Sequence, residues 1–153
     1  MNPQIQTRDA FAQLLGVTRA EYLWFHAAHH LASGPPFFGD HKFYAKVYET
    51  YVETFDKIAE RAMLYHHDTV VAPDISTRLA LDVLASMPPV QGDANAIANA
   101  AAAVTRRFLQ ELQTARNAFR QASTLSAGLD NLLCQLSDDT ESTLYQLRQR
   151  CRS

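Results

Sequence analysis

The chain has 153 residues, of which 47% are hydrophobic and 20% are charged, and its formal net charge at pH 7 is −2. These values fit one globular domain, residues 1–153, large enough to bury a core, and the slight negative charge argues against a protein built chiefly to hold nucleic acid. No apolar stretch approaches the roughly 18–20 residues that span a bilayer, and the N-terminus lacks a signal-peptide pattern. We therefore expect no membrane segment. The few glycines and the lack of alternating β-branched runs favour an all-helical protein.

The first long helix is predicted over about residues 7–32, which leaves a short N-terminal tail at about residues 1–6. Thr18 followed three positions later by Glu21 has the spacing of a capping box. Because a capping box marks a helix start, we expect a break or kink near Gly16.

The second helix begins after a Gly-Pro-Pro sequence at residues 34–36, which predicts a helix stop followed by a helix start. From Phe37 onward the apolar residues recur mostly at alternating steps of three and four, the pattern of one amphipathic helix. Two histidines, His29 and His41, flank the turn. An acidic row runs along the second helix at the same spacing and consists of Glu49, Glu53, Asp56 and Glu60. Imidazole nitrogen with carboxylate oxygen is a ligand set that suits iron, zinc or manganese.

His41 and Asp56 cannot bind one ion within a single chain. A continuous helix separates them by about 22 Å of rise, although they differ by only about 60° in angular position. Two copies of the helix laid antiparallel about a two-fold axis would place the histidines of one chain against Asp56 and Glu60 of the other, and the axis would generate two such sites. If these residues bind a metal, we expect the site at a dimer interface.

The second half of the chain predicts a long connection and two further helices. Residues 69–92 contain three prolines and, at 76–86, a short helix. The third long helix is predicted at 93–121, and the fourth at about 127–150, before a short C-terminal tail at about 150–153. In the third helix, helical spacing is kept throughout by Ile97, Ala101, Val104, Phe108, Leu112, Ala115, Phe119 and Ala122. In the fourth helix we expect burial of Leu129, Leu132, Leu133, Leu136, Leu144 and Leu147. Two helices, one long crossover and two more helices are typical of the ferritin-like four-helix bundle.

Several polar residues near the helix ends have weaker patterns. His66 and His67 end the second helix, where we expect a surface position facing the helix dipole rather than metal ligation. Arg148, Arg150 and Arg152 form a small basic tail. Favourable placement of cations at a helix C-terminus is the first interpretation of this tail, and weak DNA contact is the alternative.

The two cysteines predict a reducing location. Cys134 and Cys151 fall on the fourth helix about 25 Å apart by rise, too far for a disulfide. Free thiols without a signal sequence indicate a cytoplasmic protein.

Residues 29–61 resemble the shared motif of the Dps family, the miniferritins named for DNA protection during starvation. In that motif a His ends the first helix, Gly-Pro and Phe follow, and a second His precedes two aromatic residues and Asp-x-Ile-Ala-Glu-Arg. The matching residues are His29, Gly34-Pro35, Phe38, His41, Tyr44, Tyr48 and Asp56-Lys57-Ile58-Ala59-Glu60-Arg61. The chain departs from the motif where it has His30 for the usual Trp, Asp40 for an apolar residue and Lys42 for the common Glu. None of these departures removes a ligand.

This resemblance implies a ferroxidase and iron-storage protein. It implies a hollow homododecamer in which hydrogen peroxide, or oxygen, oxidises Fe(II) at each two-fold interface, and the ferric product mineralises in the cavity. His29 and His41 of one chain would bind iron together with the partner's Asp56 and the partner's Glu60, the latter bridging two ions. Many relatives hold DNA with a Lys-rich N-terminal tail, which this chain lacks, so DNA binding is expected to be weak or absent.

Other residues have less specific expected roles. Packing or surface placement is the first interpretation of His26 and His30, and an auxiliary metal role is the alternative. Glu49 and Glu53 are expected either to be simply exposed or to line the shell and nucleate mineral. Asp130 falls where the resemblance places acidic residues around an iron-entry pore on the three-fold axis, with plain helix N-terminal charge as the alternative.

The sequence also favours Dps proteins over ferritins and bacterioferritins. Ferritins and bacterioferritins hold two irons inside each bundle and use Glu-x-x-His motifs from two helices. This chain has no Glu-x-x-His, and all six of its histidines lie between positions 26 and 67. We therefore expect an apolar bundle core with the metal site outside it.

Three alternatives remain open at this point. The first is a DNA-condensing structural protein with weak ferroxidase activity. Only the C-terminal arginines support it. The second is the same shell with zinc in place of iron, because His30, Asp40 and the additional histidines alter the surroundings of the site. The third is a helical interaction module that uses a metal merely to hold a dimer.

Overall fold

The computed structural model describes residues 1–152, and this part of the chain is helical and contains no β-strand. Its helices are α1 (Pro3–Leu31), α2 (Phe37–Leu64), α3 (Pro73–Ala85), α4 (Ala94–Gln121) and α5 (Ala127–Arg150). The four long helices form the bundle, and α3 lies in the crossover between α2 and α4 after a 3-10 turn at Asp68–Val71. The predicted ferritin-like architecture is confirmed. The last residue of the predicted C-terminal tail, Ser153, lies outside the described residues.

Helix α1 begins four residues earlier than predicted. The Asn2 side chain caps it by accepting a 2.9 Å hydrogen bond from the Gln4 amide, and Pro3 occupies the first helical position. The predicted N-terminal tail at residues 1–6 is therefore wrong beyond residue 2.

The predicted break near Gly16 is also wrong, because α1 runs through it without interruption. The Thr18 hydroxyl donates to the Leu14 carbonyl over 2.7 Å instead of capping a helix, and Glu21 is fully buried. Gly16 allows α3 to pack closely against α1. A Cβ atom at this position would lie 2.6 Å from the Cβ of Leu79, so only glycine lets the two helices approach this closely.

The turn between α1 and α2 forms as the sequence predicts. Gly34 has a φ of +73°, a conformation that favours glycine, and its carbonyl accepts a 3.0 Å hydrogen bond from the Phe37 amide. Tyr44, Tyr51 and Ile58 then face the core on α2. This hairpin sets the start of α2 beside the end of α1.

An ion pair ties the start of α2 to the end of α5. The Arg150 guanidinium donates to both carboxylate oxygens of Asp40, over 2.8 and 3.0 Å, and to the Asn95 side chain over 2.9 Å. Asp40 is buried, and its pairing with Arg150 explains how this chain accommodates a carboxylate where the motif has an apolar residue. Of the three arginines predicted to form a basic tail, Arg150 is therefore engaged within the bundle.

At the end of α2 the predicted surface position is confirmed for His66, which is exposed, and is wrong for His67. His66 has a φ of +61°, and the amides of His66 and His67 close the helix by bonding the carbonyls of Met63 and Ala62. His67 was predicted at the surface but is buried, with its ring centroid 6.1 Å from that of Phe11. Burial lowers the pKa of His67, which favours the neutral form of the ring.

The later helices agree closely with their predicted bounds. The residues that keep helical spacing in α4 are buried. The leucines predicted to be buried in α5 are buried except Leu132, which is half-buried. None of the helices within residues 1–152 combines the length and the hydropathy that crossing a bilayer requires.

Candidate metal centre

His29 and His41 meet across the α1–α2 turn through two reciprocal hydrogen bonds. The Nδ1 atom of His29 lies 2.8 Å from the carbonyl oxygen of His41, and the Nδ1 atom of His41 lies 2.8 Å from the carbonyl oxygen of His29. A carbonyl oxygen only accepts, so each Nδ1 carries the proton and donates it. Both rings are thereby fixed in the tautomer whose Nε2 has a free lone pair. That is the nitrogen a metal ion would bind.

The positions of the two histidines on their helices explain this arrangement. His29 lies in the last turn of α1, where carbonyl groups lack intrahelical donors, so its oxygen is free to accept from His41. His41 lies in the second turn of α2, and the Gly34 turn brings it back onto His29. The two rings stack with centroids 3.7 Å apart and an interplanar angle of 27°.

Aromatic side chains hold the two imidazoles from either side. Phe37 stacks on His41 with a centroid distance of 4.9 Å, and Tyr48 presents its edge to His29 at 5.5 Å. These contacts restrict rotation of the rings, so the pair is preorganised by packing as well as by hydrogen bonds.

Asp56 and Glu60 lie elsewhere on α2. Both are exposed, and they line two different surface grooves, Asp56 beside Tyr22 and Phe55, and Glu60 beside Arg61. Within residues 1–152, no three His, Cys, Asp or Glu side chains gather closely enough to hold a metal ion. One chain thus brings the two imidazoles together and leaves the carboxylates apart, as the helix geometry requires. Their assignment as ligands stays a prediction.

The accessory histidines form a second imidazole pair. The Nε2 atoms of His26 and His30 lie 3.3 Å apart on successive turns of α1. His26 is half-buried against Tyr22 and Tyr48, and His30 is exposed. This contact was not predicted from the sequence, although residues four positions apart are neighbours on a helix surface.

The remaining acidic candidates differ in their surroundings. Glu49 and Glu53 are both exposed on α2. Asp130, in the first turn of α5, forms an ion pair with Arg116, and this hydrogen bond lowers the pKa of the Asp130 carboxyl. The predicted pore role of Asp130 stays a prediction.

Glu21 is a buried carboxyl in the bundle core that the sequence analysis placed wrongly. The core was expected to be apolar, but Glu21 lies at 0% exposure near Tyr51, Arg107 and Glu111. Burial raises the pKa of Glu21 well above its usual value, while the neighbouring Tyr51 hydroxyl acts in the opposite sense. Within residues 1–152, neither carboxyl oxygen finds a partner with ordinary hydrogen-bond geometry. Its helical spacing from Leu14 would have indicated the buried face of α1.

We expect Glu21→Gln to stabilise the protein increasingly as the pH rises. Below the unfolded-state pKa, near 4.5, the carboxyl is protonated in both states. Above it the unfolded chain releases the proton while the folded protein retains it, so wild-type stability falls by up to about 1.4 kcal/mol per pH unit until the folded pKa is reached. Glutamine cannot ionise, and the variant escapes this loss.

Urea unfolding of both proteins at pH 5 and pH 8, at one protein concentration, measures the effect of Glu21→Gln. The urea concentration at the unfolding midpoint should be higher for Glu21→Gln than for wild type by a larger margin at pH 8 than at pH 5. Glu141→Gln, an exposed substitution of the same kind on α5, is the control and should show no such widening. A gap for Glu21→Gln that is independent of pH would mean that the buried carboxyl does not keep its proton.

Comparison with known proteins places this fold. No protein-family model matches the sequence, and no curated protein of similar sequence was found. Solved structures do match over nearly the whole chain. A Dps protein from Bacillus brevis has 17% identity and a TM-score of 0.82, with 97% of each chain covered. DpsC from Streptomyces coelicolor has 18% identity and a TM-score of 0.82, with 98% of this chain and 86% of that one covered.

A third solved structure has a similar fold. A Dps protein from Vibrio cholerae O1, described as a member of a broad superfamily of ferritin-like diiron-carboxylate proteins, has 14% identity and a TM-score of 0.80, with 96% of this chain and 89% of that one covered. At these identities the likeness concerns the fold. The chain has the ferritin-like fold of Dps proteins, and the resemblance predicted from residues 29–61 is confirmed at that level.

Proposed function

We propose that this protein is a Dps-type ferroxidase that oxidises Fe(II) between two-fold-related subunits and stores the ferric product inside a homododecameric shell. The observation that carries the proposal is the reciprocal hydrogen bonding of His29 and His41, which presents two bare Nε2 atoms close together. The fold shared with Dps structures supports the same function.

The donor atoms fit iron. Imidazole nitrogen and carboxylate oxygen both suit this metal, and the backbone carbonyls that fix the His29 and His41 tautomers act as the outer partners that metal-binding histidines usually have. In the proposed site, the partner's Asp56 and the partner's Glu60 supply the oxygens, and the partner's Glu60 bridges two ions. Both carboxylates are exposed in the single chain and therefore accessible to a second subunit.

The surface between the two halves of the proposed site supports pairing of subunits. Tyr22, Tyr48 and Phe55 are half-buried there, and Val52 is 50% exposed. An apolar surface of this kind favours covering by another protein surface, and a two-fold axis through it would bring each histidine pair toward the carboxylates of the other chain.

The proposed reaction balances with hydrogen peroxide as the oxidant. Two Fe(II) ions give up one electron each, the O–O bond of one peroxide breaks, and two protons complete two water molecules, leaving two Fe(III). Because both electrons reach peroxide at one site, no hydroxyl radical is released. Oxygen is the alternative oxidant. We also propose a reducing, cytoplasmic location, which the free thiols of Cys134 and Cys151 support.

Anaerobic loading with Fe(II) followed by a pulse of peroxide tests the function. We expect ferric absorbance to rise faster than in protein-free buffer, and the product to remain soluble and to co-elute with the protein. Light scattering should give a mass about twelve times that of the 17.1 kDa chain. Oxidation no faster than in buffer would overturn the ferroxidase, and a dimeric mass would overturn the shell.

A further inference from the structure

His26 and His30 form an imidazole pair that is separate from the His29–His41 pair. They are four residues apart on α1 and therefore lie on one face of the helix. Their Nε2 atoms face each other at 3.3 Å. Neither residue takes part in the reciprocal hydrogen bonds at the turn, so the two pairs share no ring, although the His30 ring lies edge-to-face against that of His29 with centroids 4.9 Å apart.

The distance between these nitrogens matches a tetrahedral metal ion. Two bonds of about 2.0–2.1 Å at the tetrahedral angle place the ligating nitrogens about 3.3–3.4 Å apart. N–H···O hydrogen bonds have heavy-atom distances of about 2.7–3.2 Å, so the 3.3 Å contact between the two nitrogens is long for a hydrogen bond. We propose that His26 and His30 bind one divalent ion of the zinc class through their Nε2 atoms, with water in the remaining positions.

The surroundings of the pair support this assignment. Tyr22 stacks on His26 with centroids 5.5 Å apart, and Tyr48 presents its edge to the same ring at 4.9 Å, which fixes the His26 imidazole. His30 is exposed and gives an ion access from solvent. Imidazole nitrogens suit zinc, copper and nickel. With two protein ligands from one chain, the site exchanges its ion readily, in contrast to a closed structural zinc site.

This site does not depend on the proposed iron function. Both ligands come from α1 of one chain, so binding requires neither a second subunit nor iron. The His26–His30 site should therefore take one ion per chain whether or not the protein oxidises Fe(II).

The inference is tested by isothermal titration calorimetry, in which Zn²⁺ is titrated into protein that a chelator has stripped of metal. In a His29→Ala/His41→Ala background, which lacks the other imidazole pair, we expect one Zn²⁺ per chain. Adding His26→Ala or His30→Ala should weaken binding at least about tenfold, because even the outer partners of metal ligands are worth about 10–100-fold in affinity. Leu23→Ala, an exposed substitution on the same helix, is the control and should leave the affinity unchanged.

The same substitutions in the otherwise wild-type chain give an independent readout. His26→Ala should remove one bound Zn²⁺ per chain. With Co²⁺ as a probe, the variant should show weaker visible absorption than wild type, by the contribution of one tetrahedral complex per chain. Alanine favours helix, so α1 should stay folded, which circular dichroism checks. Unchanged affinity in both His26→Ala and His30→Ala, or no Zn²⁺ bound in the His29→Ala/His41→Ala background, would show that His26 and His30 are a hydrogen-bonded pair only.

Discussion

Two inactive variants of this protein should restore activity to each other when they assemble together. We expect His41→Ala and Asp56→Asn each to slow peroxide-driven Fe(II) oxidation at least about tenfold, since each removes a direct ligand and outer-shell changes alone cost about 10–100-fold. The reason for recovery is that the proposed site takes its histidines from one chain and its carboxylates from the other. A mixed dimer then has one site with all four residues intact and one site with both substitutions.

The expected recovery can be calculated. Random pairing of equal amounts makes half of the dimers mixed, and half of the sites in those are intact, so about one quarter of the wild-type sites should be active. Co-expression of the two variants with different affinity tags, followed by purification of the mixed assembly and a peroxide pulse, measures this fraction.

A second mixture provides a matched control. His29→Ala assembled with His41→Ala should recover nothing, because every site in the mixed dimer still lacks one imidazole. If the mixture of His41→Ala and Asp56→Asn stays as inactive as its components, the carboxylates do not act across the interface. Recovery in both mixtures would instead mean that the two histidines do not belong to one site.

The elements that the sequence predicted well are those decided by local rules. The Gly-Pro-Pro turn and the periodicity of α2 place His29 near His41, because only twelve positions separate them and the turn reverses the chain. The sequence does not predict the reciprocal hydrogen bonds between His29 and His41. They depend on where two backbone carbonyls point after the turn closes, and spacing alone does not determine that.

The errors share a different physical cause, which is packing between distant parts of the chain. Thr18 and Glu21 match a local helix-start rule, but α1 runs through both positions, and Glu21 is buried beside Tyr51 of α2 and Arg107 of α4. The bond between Asp40 and Arg150 joins residues 110 positions apart. A single sequence gives no signal for such a contact.

Breaking the ion pair between Asp40 and Arg150 should have a large effect on the free energy of unfolding. Arg150→Ala should destabilise the protein by about 3–5 kcal/mol, the usual cost of leaving one member of a buried pair without its counter-charge. The Asp40 side chain is only 7% exposed, so water would replace the lost guanidinium only in part. Urea unfolding at pH 7 and one fixed protein concentration measures the change.

The reverse substitution should cost less. In Asp40→Ala the guanidinium of Arg150, 20% exposed in wild type, can turn further toward solvent and keep its bond to Asn95. The double variant Asp40→Ala/Arg150→Ala should be more stable than Arg150→Ala alone, because it contains no buried unpaired charge. Equal losses from the two single changes that simply add in the double variant would show that the ion pair does not act as a coupled unit.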